Sequence, residues 1–404
     1  MICSIAMLLC IAGADPTPDM QRVDTADRLG QRIEIRGVAA GDFAATHWRE
    51  AALHMLPDMR HPILEPSLGK FRNIYAPSAV ELPTGWRLFY GAFDGTDTPN
   101  DCIYYLDTPD FLQMGDHHTV IDHGDFVHVC NVNAFRNADG SYEMMCTAYP
   151  DQGGNNKPAY FTSPDGIHWN GSPMPHHATS EDLISIEGYD GFEQADINGM
   201  NVLLREEGAR RIYFNDFRNM GAVFRASGAD GRKFIFEGEV LDCPYVVNDI
   251  KVFHDEETNW YLMGLHMNRE GLWYSLSPDG RTFEPAQPLL THRDEADRYI
   301  VAIGWVRRDN RLLGVLYGAG AVPTLDANRI FARWLQCRVV FETLDGTCYE
   351  ATHALGPDRQ VIDLPVDGPL AGRFFLYAED GVTELGRPIP AQIASGEVWA
   401  LQYK

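Results

Sequence analysis

The chain has 404 residues, with 33 Lys and Arg against 57 Asp and Glu, and its formal charge is −24. Hydrophobic residues make up 45% and aromatic residues 11%, which is typical of a folded protein and excludes disordered, collagen-like and coiled-coil chains. An acidic field repels nucleic acid and anionic membranes, and no Lys/Arg run opposes it. We therefore expect no nucleic-acid or membrane partner, and instead a neutral or weakly charged small molecule or polymer.

The first segment, residues 1–14, is apolar over the length of a signal-peptide core and ends in small residues before Asp15. It is too short to span a bilayer. This pattern predicts export, and hence a secreted or periplasmic protein. No Lys or Arg precedes the apolar run, so a misassigned start codon or a buried N-terminal strand stays open, and with it a cytoplasmic location.

Two of the eight cysteines fall in that segment, and the others are Cys102, Cys130, Cys146, Cys243, Cys337 and Cys348. They show no C-x-x-C motif and no regular Cys/His spacing, so we expect no metal site. Cys337 and Cys348 flank a predicted turn and could pair, whereas most of the others are expected to be buried thiols. Phosphate-binding loops, nucleophile elbows and dinucleotide fingerprints are missing from the sequence, and no cofactor is expected.

A short motif recurs along the chain after aromatic strands. Its clearest copies are SPDGIHW at 163–169 and SPDGRTF at 277–283, with looser copies SGADGRKF at 227–234 and TPDF at 108–111. The Asp-Gly pair suits a tight turn that needs positive φ, and the following aromatic residue can pack under the next strand. The motif predicts the outer hairpins of a repeated sheet.

A second unit, made of a strand, a polar turn and an aromatic strand, precedes each of these four hairpins and occurs once more after the last of them. The five copies begin NIYAPSAV, HVCNVNAF, NGMNVLL, VVNDIKVF and YIVAIGWV. They divide residues 70–341 into segments of about 54 residues, which suits a four-stranded blade. The sequence therefore predicts an all-β fold, a five-bladed β-propeller; a β-sandwich or β-helix with coincidental hairpins is the alternative.

The predicted organisation has four parts. Residues 1–14 are the signal-peptide candidate, and residues 15–69 are an N-terminal segment leading into the propeller, with a helix candidate around 44–55. Residues 70–342 form the propeller, and residues 343–404 are a C-terminal extension of additional β-strands.

The first strand of each propeller blade lines the central axis, so polar side chains from distant parts of the chain converge there. Aligning the units places Ala76, Asn131 and Asp249 at equivalent positions. Ser78, Asn133 and Lys251 follow two residues later. The fifth unit has the small residues Ala302 and Gly304, which predict room for a ligand.

This pattern resembles the five-bladed β-propeller glycosidases of glycoside hydrolase families 43, 32 and 117. The resemblance covers residues 70–342 and rests on the unit count, the outer hairpins and the strand openings YAPSAV and NDIKVF. It implies an acidic trio: a base or nucleophile Asp on the first blade, a helper Asp on the second, and an acid Glu further along. This chain has Ala76 and Asn131 at the first two positions.

Glycoside cleavage needs one protonated carboxyl for the leaving oxygen and one ionised carboxylate for water or the anomeric carbon. Asp249 is the first candidate, because its distance from the aromatic pair at 260–261 resembles that of the family acid; an Asp that stabilises the blade is the alternative. Glu193 and Asp196, in GFEQADING, are the next candidates, and a solvated loop is their alternative.

Substrate contacts are expected from the same loops. Asn131 and Asn133 can both donate and accept hydrogen bonds, which suits sugar hydroxyls. The other candidates occupy loops of the first, third and fourth units: Asp94, which could equally belong to a simple turn, Asp216, Arg218, His266 and Arg269.

The sequence thus predicts a glycoside hydrolase that acts on an oligo- or polysaccharide in the central funnel, with Asp249 and a carboxylate of the third unit as the working pair. A carbohydrate-binding propeller without catalysis is the first alternative, motivated by Ala76 and Asn131. The second is a phosphorylase or lyase on the same scaffold, for which Arg218, His266 and Arg269 would hold phosphate.

Overall fold

A computed structural model describes residues 20–23, 32–36, 56–58, 62–66, 72–93, 100–150, 155–206, 208–254, 259–290, 295–323, 328–334, 338–351, 359–365, 368–377, 384 and 387–401. The signal-peptide candidate, the helix candidate at 44–55, Asp94 and Cys337 lie outside these residues. The predicted all-β class is confirmed, since the described residues contain strands and two single-turn 3-10 helices, Ser180–Asp182 and Phe192–Gln194, and no α-helix. None of them forms a helix that is long and apolar enough to cross a bilayer.

The strands in chain order are β1 (Met20–Val23), β2 (Arg32–Arg36), β3 (Leu56–Pro57), β4 (Tyr75–Leu82), β5 (Gly85–Phe93), β6 (Asp101–Thr108), β7 (His118–Asp122), β8 (His128–Arg136), β9 (Tyr142–Tyr149), β10 (Lys157–Ser163), β11 (His176–His177), β12 (Ser185–Glu187), β13 (Val202–Glu206), β14 (Ala209–Phe214), β15 (Gly221–Gly228), β16 (Lys233–Cys243), β17 (Val246–His254), β18 (Asn259–Met267), β19 (Gly271–Ser277), β20 (Gln287–Pro288), β21 (Tyr299–Arg308), β22 (Arg311–Gly320), β23 (Arg329–Trp334), β24 (Arg338–Thr343), β25 (Cys348–Glu350), β26 (Arg359–Asp363), β27 (Leu370–Tyr377), β28 (Ile389–Ile393) and β29 (Val398–Leu401).

The chain divides into two compact units. Unit one comprises Met1–Asp42, His54–Met59 and Trp334–Lys404, and unit two comprises Phe43–Leu53 and Arg60–Arg333. Unit one has two four-stranded sheets, ordered β1-β29-β2-β26 and β25-β24-β27-β28. Phe341, Phe374 and Trp399 lie in its apolar core. The predicted C-terminal strands therefore exist, and the strand β24 of this unit begins before the predicted boundary at residue 342.

Unit two consists of successive sheets, which we number in chain order; their strands pair antiparallel except for the short edge strands β11 and β12, which pair in parallel with β7 and β16. The first is β4-β5-β6-β7-β11, the second β8-β9-β10, the third β13-β14-β15-β16-β12, the fourth β17-β18-β19-β20, and the fifth contains β21-β22-β23. Each of the five sequence units forms the antiparallel pair that begins its sheet. The strands β4, β8, β13, β17 and β21, here called the inner strands, thus correspond to one another.

The recurrent hairpin motif has the predicted geometry. In the copy at 163–169, the Ser163 hydroxyl accepts the Gly166 N–H at 2.8 Å, and the Asp165 carboxylate accepts the N–H groups of Ile167 and His168. Gly166 has φ +75°, and Trp169 is fully buried. The copies at Ser277 and Thr108 repeat the hydroxyl contact at 2.9 and 2.8 Å.

The inner strands contact one another through side-chain and backbone groups. The Ala134 N–H of β8 donates to the Ser78 hydroxyl of β4 at 3.0 Å, and the Leu203 N–H of β13 donates to Asn133 of β8 at 3.1 Å. Val202 of β13 and Val247 of β17 share one apolar core. Each strand is therefore joined to the next by contacts far apart in sequence.

The last inner strand, β21, lies directly against the first. A Cβ atom on Gly304 would lie 2.0 Å from the carbonyl oxygen of Pro77, a backbone atom of β4. The space that the sequence analysis assigned to a ligand beside Gly304 is thus filled by β4. Ala302 is also enclosed, and it packs in an apolar cluster with Ala76 and Cys130.

We predict that Gly304→Ala lowers the urea midpoint of unfolding, because the added methyl overlaps the Pro77 carbonyl and forces the two strands apart. Overpacking of this kind costs about 1–3 kcal/mol. Gly368→Ala is the matched control, because nothing lies within 4 Å of a Cβ built there. Equal midpoints for the two variants would contradict the close approach of β21 and β4.

Candidate functional site

The inner strands define two faces of unit two. At the N-terminal face the inner strands begin and their hairpin partners end; at the C-terminal face the inner strands end. Of the predicted site residues, Asp216 and His266 lie at or beside strand ends on the N-terminal face, and Asn131 lies at the bulge in the first half of β8. Arg218 and Arg269 follow two of these strands in the same loops. These residues of the third and fourth sheets thus lie at the same face as Asn131 of the second sheet.

The axis at this face has an apolar floor. Tyr75, Ala76, Cys130, Met200 and Ala302 are buried together, with Tyr149 and Val301 packed against them. Burial raises the pKa of the Cys130 thiol well above its ordinary value, so it stays protonated. Cys102, Cys146 and Cys243 are likewise buried, as predicted.

A polar group lies beside this floor. The Asn131 side-chain amide donates to the Tyr149 hydroxyl at 3.1 Å and to the Asn198 carbonyl oxygen at 3.3 Å, and the Tyr149 hydroxyl donates to Asn198 through a very short hydrogen bond. Asn131 has φ +59°, a conformation that asparagine tolerates better than most residues. The arrangement offers amide and hydroxyl groups, which are suited to sugar hydroxyls, and no carboxylate.

A second polar contact lies on the first sheet. The Tyr75 hydroxyl donates to the Asp101 carboxylate at 3.0 Å, and the His128 ring lies 3.2 Å from the same carboxylate. Burial, followed by the charge of Asp101, raises the pKa of Tyr75 well above its ordinary value. Tyr75 therefore remains a hydrogen-bond donor at neutral pH.

The predicted carboxylates of the third unit lie just before β13. Glu193 is exposed and sits in the 3-10 turn Phe192–Gln194. Asp196 is half-buried, and one of its oxygens accepts the side-chain amide of Asn156 at 2.7 Å. Its other oxygen has no hydrogen-bond donor among the described residues. Both carboxyl groups are therefore accessible from the N-terminal face.

Lys157 lies beside these two acids. Its ammonium group donates to the backbone carbonyls of Glu193 and Ala195, at 3.4 and 2.6 Å. Burial lowers the pKa of Lys157, and the nearby charge of Glu193 opposes that shift. The lysine fixes the backbone that presents Glu193 and Asp196.

Asp216 holds the same segment from the opposite side. Its carboxylate accepts the backbone N–H groups of Asp196 and Arg218 at 3.1 and 3.0 Å, and the Tyr189 hydroxyl at 3.1 Å. Burial alone would raise the pKa of Asp216, but these hydrogen bonds and the Arg218 side chain outweigh it and lower the pKa. Because Asp216 is only 3% exposed, it orients the loop and cannot itself reach a large ligand.

His266 is buried, and its two ring nitrogens lie 2.7 Å from the side-chain oxygen of Asn248 and 2.9 Å from that of Asn268. Burial lowers its pKa to about 4, against the effect of the Asn268 hydrogen bond. The imidazole is therefore neutral at pH 7. Arg269 is exposed and has φ +71°.

Asp249 lies on the inner strand β17 and contacts two other inner strands, β8 and β21. One carboxylate oxygen accepts the Asn133 amide at 3.1 Å and the Lys251 ammonium at 2.8 Å, and the other accepts the Trp305 N–H at 2.9 Å. Asp249 is 1% exposed. The structure gives it the contacts of a carboxylate that joins β8, β17 and β21, whereas Glu193 is exposed and Asp196 half-buried on the segment before β13.

The β-bulges of the inner strands explain why the sequence alignment placed Asp249 level with Ala76 and Asn131. Pairing is interrupted between Tyr75 and Ser78 and between Cys130 and Asn133, so Ala76 and Asn131 are bulge residues. In β17 the interruption falls at Asn248, between Val247 and Asp249. The structure therefore places Asn248 level with Ala76 and Asn131, and Asp249 level with Ser78 and Asn133.

One feature of the N-terminal face was missed by the sequence analysis. Tyr245, which precedes β17, stacks on Trp273 near the start of β19, with ring centroids 4.1 Å apart and planes 13° apart. Both rings are half-buried. Trp305, on the inner strand β21, is fully buried and offers no surface to a ligand. Only the pairing of β17 with β18 and of β18 with β19 brings Tyr245 and Trp273 together.

No family model matches the chain, and no curated protein is significantly similar to it in sequence. Solved structures of similar fold include a glycosyl hydrolase from Bacteroides ovatus, 12% identical, with a TM-score of 0.53 over 70% of this chain and 94% of that one. A proposed glycoside hydrolase from Parabacteroides distasonis ATCC 8503 is 13% identical, with a TM-score of 0.52 over 72% and 98%.

A third similar structure represents the GH130 family of mannoside phosphorylases, which contains glycoside hydrolases that target β-1,2 mannosidic linkages in Candida mannan. It is 12% identical, with a TM-score of 0.51 over 70% of this chain and 94% of that one. The resemblance to propeller glycosidases inferred from the sequence is thus confirmed at the level of the fold.

We predict that Asp216→Asn destabilises the protein at pH 7, and that the difference from wild type shrinks as the pH falls. Because the pKa of Asp216 in the folded state lies below its ordinary value of 3.8, the ionised carboxylate contributes stability above that value. This contribution is lost as the pH falls through the folded-state pKa. Urea midpoints at pH 7 and at successively lower pH values below 3.8, with Tyr189→Phe as a smaller perturbation, test the sign; a difference that stays constant down to the lowest pH would contradict it.

Proposed function

We propose that unit two is a five-bladed β-propeller in which each of the five sheets is one blade. The support is the sequence of contacts between inner strands, from β4 through β8, β13 and β17 to β21, and the approach of β21 to β4 at Gly304 and Pro77. Hydrogen bonds across these contacts are made by Ser78, Asn133 and Asp249.

On this scaffold the protein is a glycoside hydrolase that acts on an oligo- or polysaccharide at the N-terminal face. The observation that carries the proposal is the pair of accessible carboxyl groups, Glu193 and Asp196, on a segment that continues into the polar group of Asn198, Tyr149 and Asn131. Hydrolysis requires two carboxyl groups near one glycosidic bond, and hydroxyl recognition requires amides of this kind.

The exposure of each side chain determines the role that we assign to it in hydrolysis. Asp196 and Glu193 supply the carboxyl chemistry, since both are accessible. Asp216 is a positioning residue, because its carboxylate holds the Asp196 backbone at 3.1 Å. The stacked pair of Tyr245 and Trp273 offers an aromatic surface for a sugar ring at the same face.

A carbohydrate-binding propeller without hydrolysis is the second candidate. It is favoured by the residues at two positions beside the axis. Ala76 is enclosed in the apolar cluster, and Asn131 is hydrogen-bonded to Asn198 and Tyr149. These positions would carry carboxylates in the glycosidases that the sequence resembles. Sugar hydroxyls can be bound there without any bond being cleaved.

A phosphorylase is less well supported, because it would need several free cationic groups at this face, and of its three candidates only Arg269 is exposed and without an ion pair among the described residues. His266 is neutral, with a pKa lowered to about 4, and Arg218 lies 3.4 Å from the Asp216 carboxylate.

We predict that Asp196→Asn lowers hydrolysis by about 10²-fold or more, the usual contribution of a general acid or base, while its urea midpoint stays close to wild type. Glu193→Gln should cause a comparable loss. The assay is cleavage of a panel of aryl glycosides and of plant, algal and fungal oligosaccharides, followed by product chromatography. Glu187→Gln, an exposed carboxylate on β12, is the matched control and should keep full activity.

The outcomes separate the two candidates. Cleavage by wild type that survives in both carboxyl variants would refute the assignment of Glu193 and Asp196. Absence of cleavage by wild type, together with saccharide binding in calorimetry that is weakened by Asn131→Ala, would establish the binding protein instead.

A further inference from the structure

The C-terminal face of unit two carries a second feature, which the proposed hydrolase does not use. A cavity of about 540 Å³ opens there between the second, third and fourth sheets and β21. This volume lies within the range of small-molecule sites. Seven of its lining side chains are Lys or Arg and two are carboxylates, in a chain whose formal charge is −24.

The two carboxylates are occupied by local contacts. Asp279 accepts the backbone N–H groups of Arg281 and Thr282, at 2.8 and 2.9 Å, in an outer hairpin. Glu206 hydrogen-bonds the Tyr261 hydroxyl. Neither forms an ion pair with a cation of the cavity among the described residues.

Four of the cations have acidic partners outside the cavity. Lys251 lies 2.8 Å from Asp249, Arg205 lies 3.2 Å from Glu143, and Arg281 lies 3.7 Å from Glu237, which also binds Arg225 closely. Arg225 is only 3% exposed, and its Nε atom is buried with no hydrogen-bond partner in the part of the chain that the structure describes.

The remaining three cations, Arg136, Arg211 and Arg307, have no carboxylate at ion-pair distance within the described residues. Within the part of the chain that the structure describes, the Arg307 side chain donates to the backbone carbonyl of Val252, at 2.9 Å. The Nε atom of Arg211 is buried and, among those residues, has no hydrogen-bond acceptor. An unpaired buried N–H of a charged group is costly, so an acceptor from a ligand would be stabilising.

We infer that this cavity binds a small ligand bearing a phosphate or sulfate group, with Arg211 and Arg307 as its principal contacts. Guanidinium groups recognise such tetrahedral oxyanions through paired N–H donors. The three cations without an acidic partner among the described residues leave a local excess of positive charge at one opening of an otherwise acidic molecule. The shared chemistry is the oxyanion, borne either by free phosphate or by a sugar ester, and the site is separate from the N-terminal face.

The test is isothermal titration calorimetry of the full chain at low salt with inorganic phosphate, glucose 6-phosphate, glucose 6-sulfate and glucose. We expect the anions to bind and glucose to give no signal at this site. Arg211→Gln and Arg307→Gln should each weaken anion binding at least about tenfold. The matched control, Arg373→Gln in unit one, changes an equally charged but exposed side chain and should leave binding unchanged.

The titrations with glucose 6-phosphate and glucose 6-sulfate show whether the anion is free or part of a sugar ester. Tighter binding of either sugar ester than of phosphate makes the ligand a modified sugar, and equal binding makes it the free anion; both support the site. Absence of anion binding to wild type at 10 mM, or equal binding by wild type, Arg211→Gln and Arg307→Gln, would overturn it. Should Arg211→Gln fail to fold, the exposed Arg136→Gln replaces it, with the same expected loss. Hydrolysis is not measured, so the outcome is independent of the proposed function.

Discussion

The carboxylate of Asp249 is the contact on which the arrangement of unit two depends. It accepts hydrogen bonds from a side-chain amide of β8, an ammonium group of its own strand and a backbone N–H of β21. An ionised carboxylate buried to this degree is tolerated only with such a set of donors, because its desolvation is otherwise prohibitive. The three strands are therefore held in one geometry by a single side chain, and Ser78 and Asn133 repeat the same kind of contact between neighbouring inner strands.

This arrangement separates the two faces of the axis. At the N-terminal face the carboxyl groups of Glu193 and Asp196 lie on a loop that Asp216 and Lys157 fix from both sides. At the C-terminal face the strand ends present guanidinium groups around a cavity. The acidic chain thus carries accessible carboxylates at one end and a local excess of positive charge at the other.

Local chemistry made the all-β class and the outer hairpins predictable from the sequence. Each S-x-D-G turn is completed by its own hydroxyl and carboxylate within a few residues, as at Ser163 and Asp165, so its geometry is present in the motif. Even the copy without glycine forms, with Phe111 taking φ +59°. The inner strands could be matched to one another because each begins a recurrent sequence unit that forms one antiparallel pair.

The environment of Asp249 could not be predicted in this way. Its partners Asn133 and Trp305 lie 116 and 56 residues away in sequence. The bulge of β17 involves one residue, whereas those of β4 and β8 involve two, so alignment by spacing placed Asp249 level with Ala76. The stacking of Tyr245 on Trp273 and the cationic cavity likewise combine residues from separate strands. Neither produces a recognisable motif in the sequence.

The most direct test of this account is Asp249→Asn, assayed both for its urea midpoint and for hydrolysis per folded molecule. The amide keeps the shape of the side chain but leaves the Lys251 ammonium unpaired at 15% side-chain exposure. The account predicts a clearly lower midpoint than wild type and hydrolysis within a few fold of wild type. An unchanged midpoint with hydrolysis reduced a hundredfold or more would contradict it, and would make Asp249 the catalytic carboxylate that its sequence position suggested.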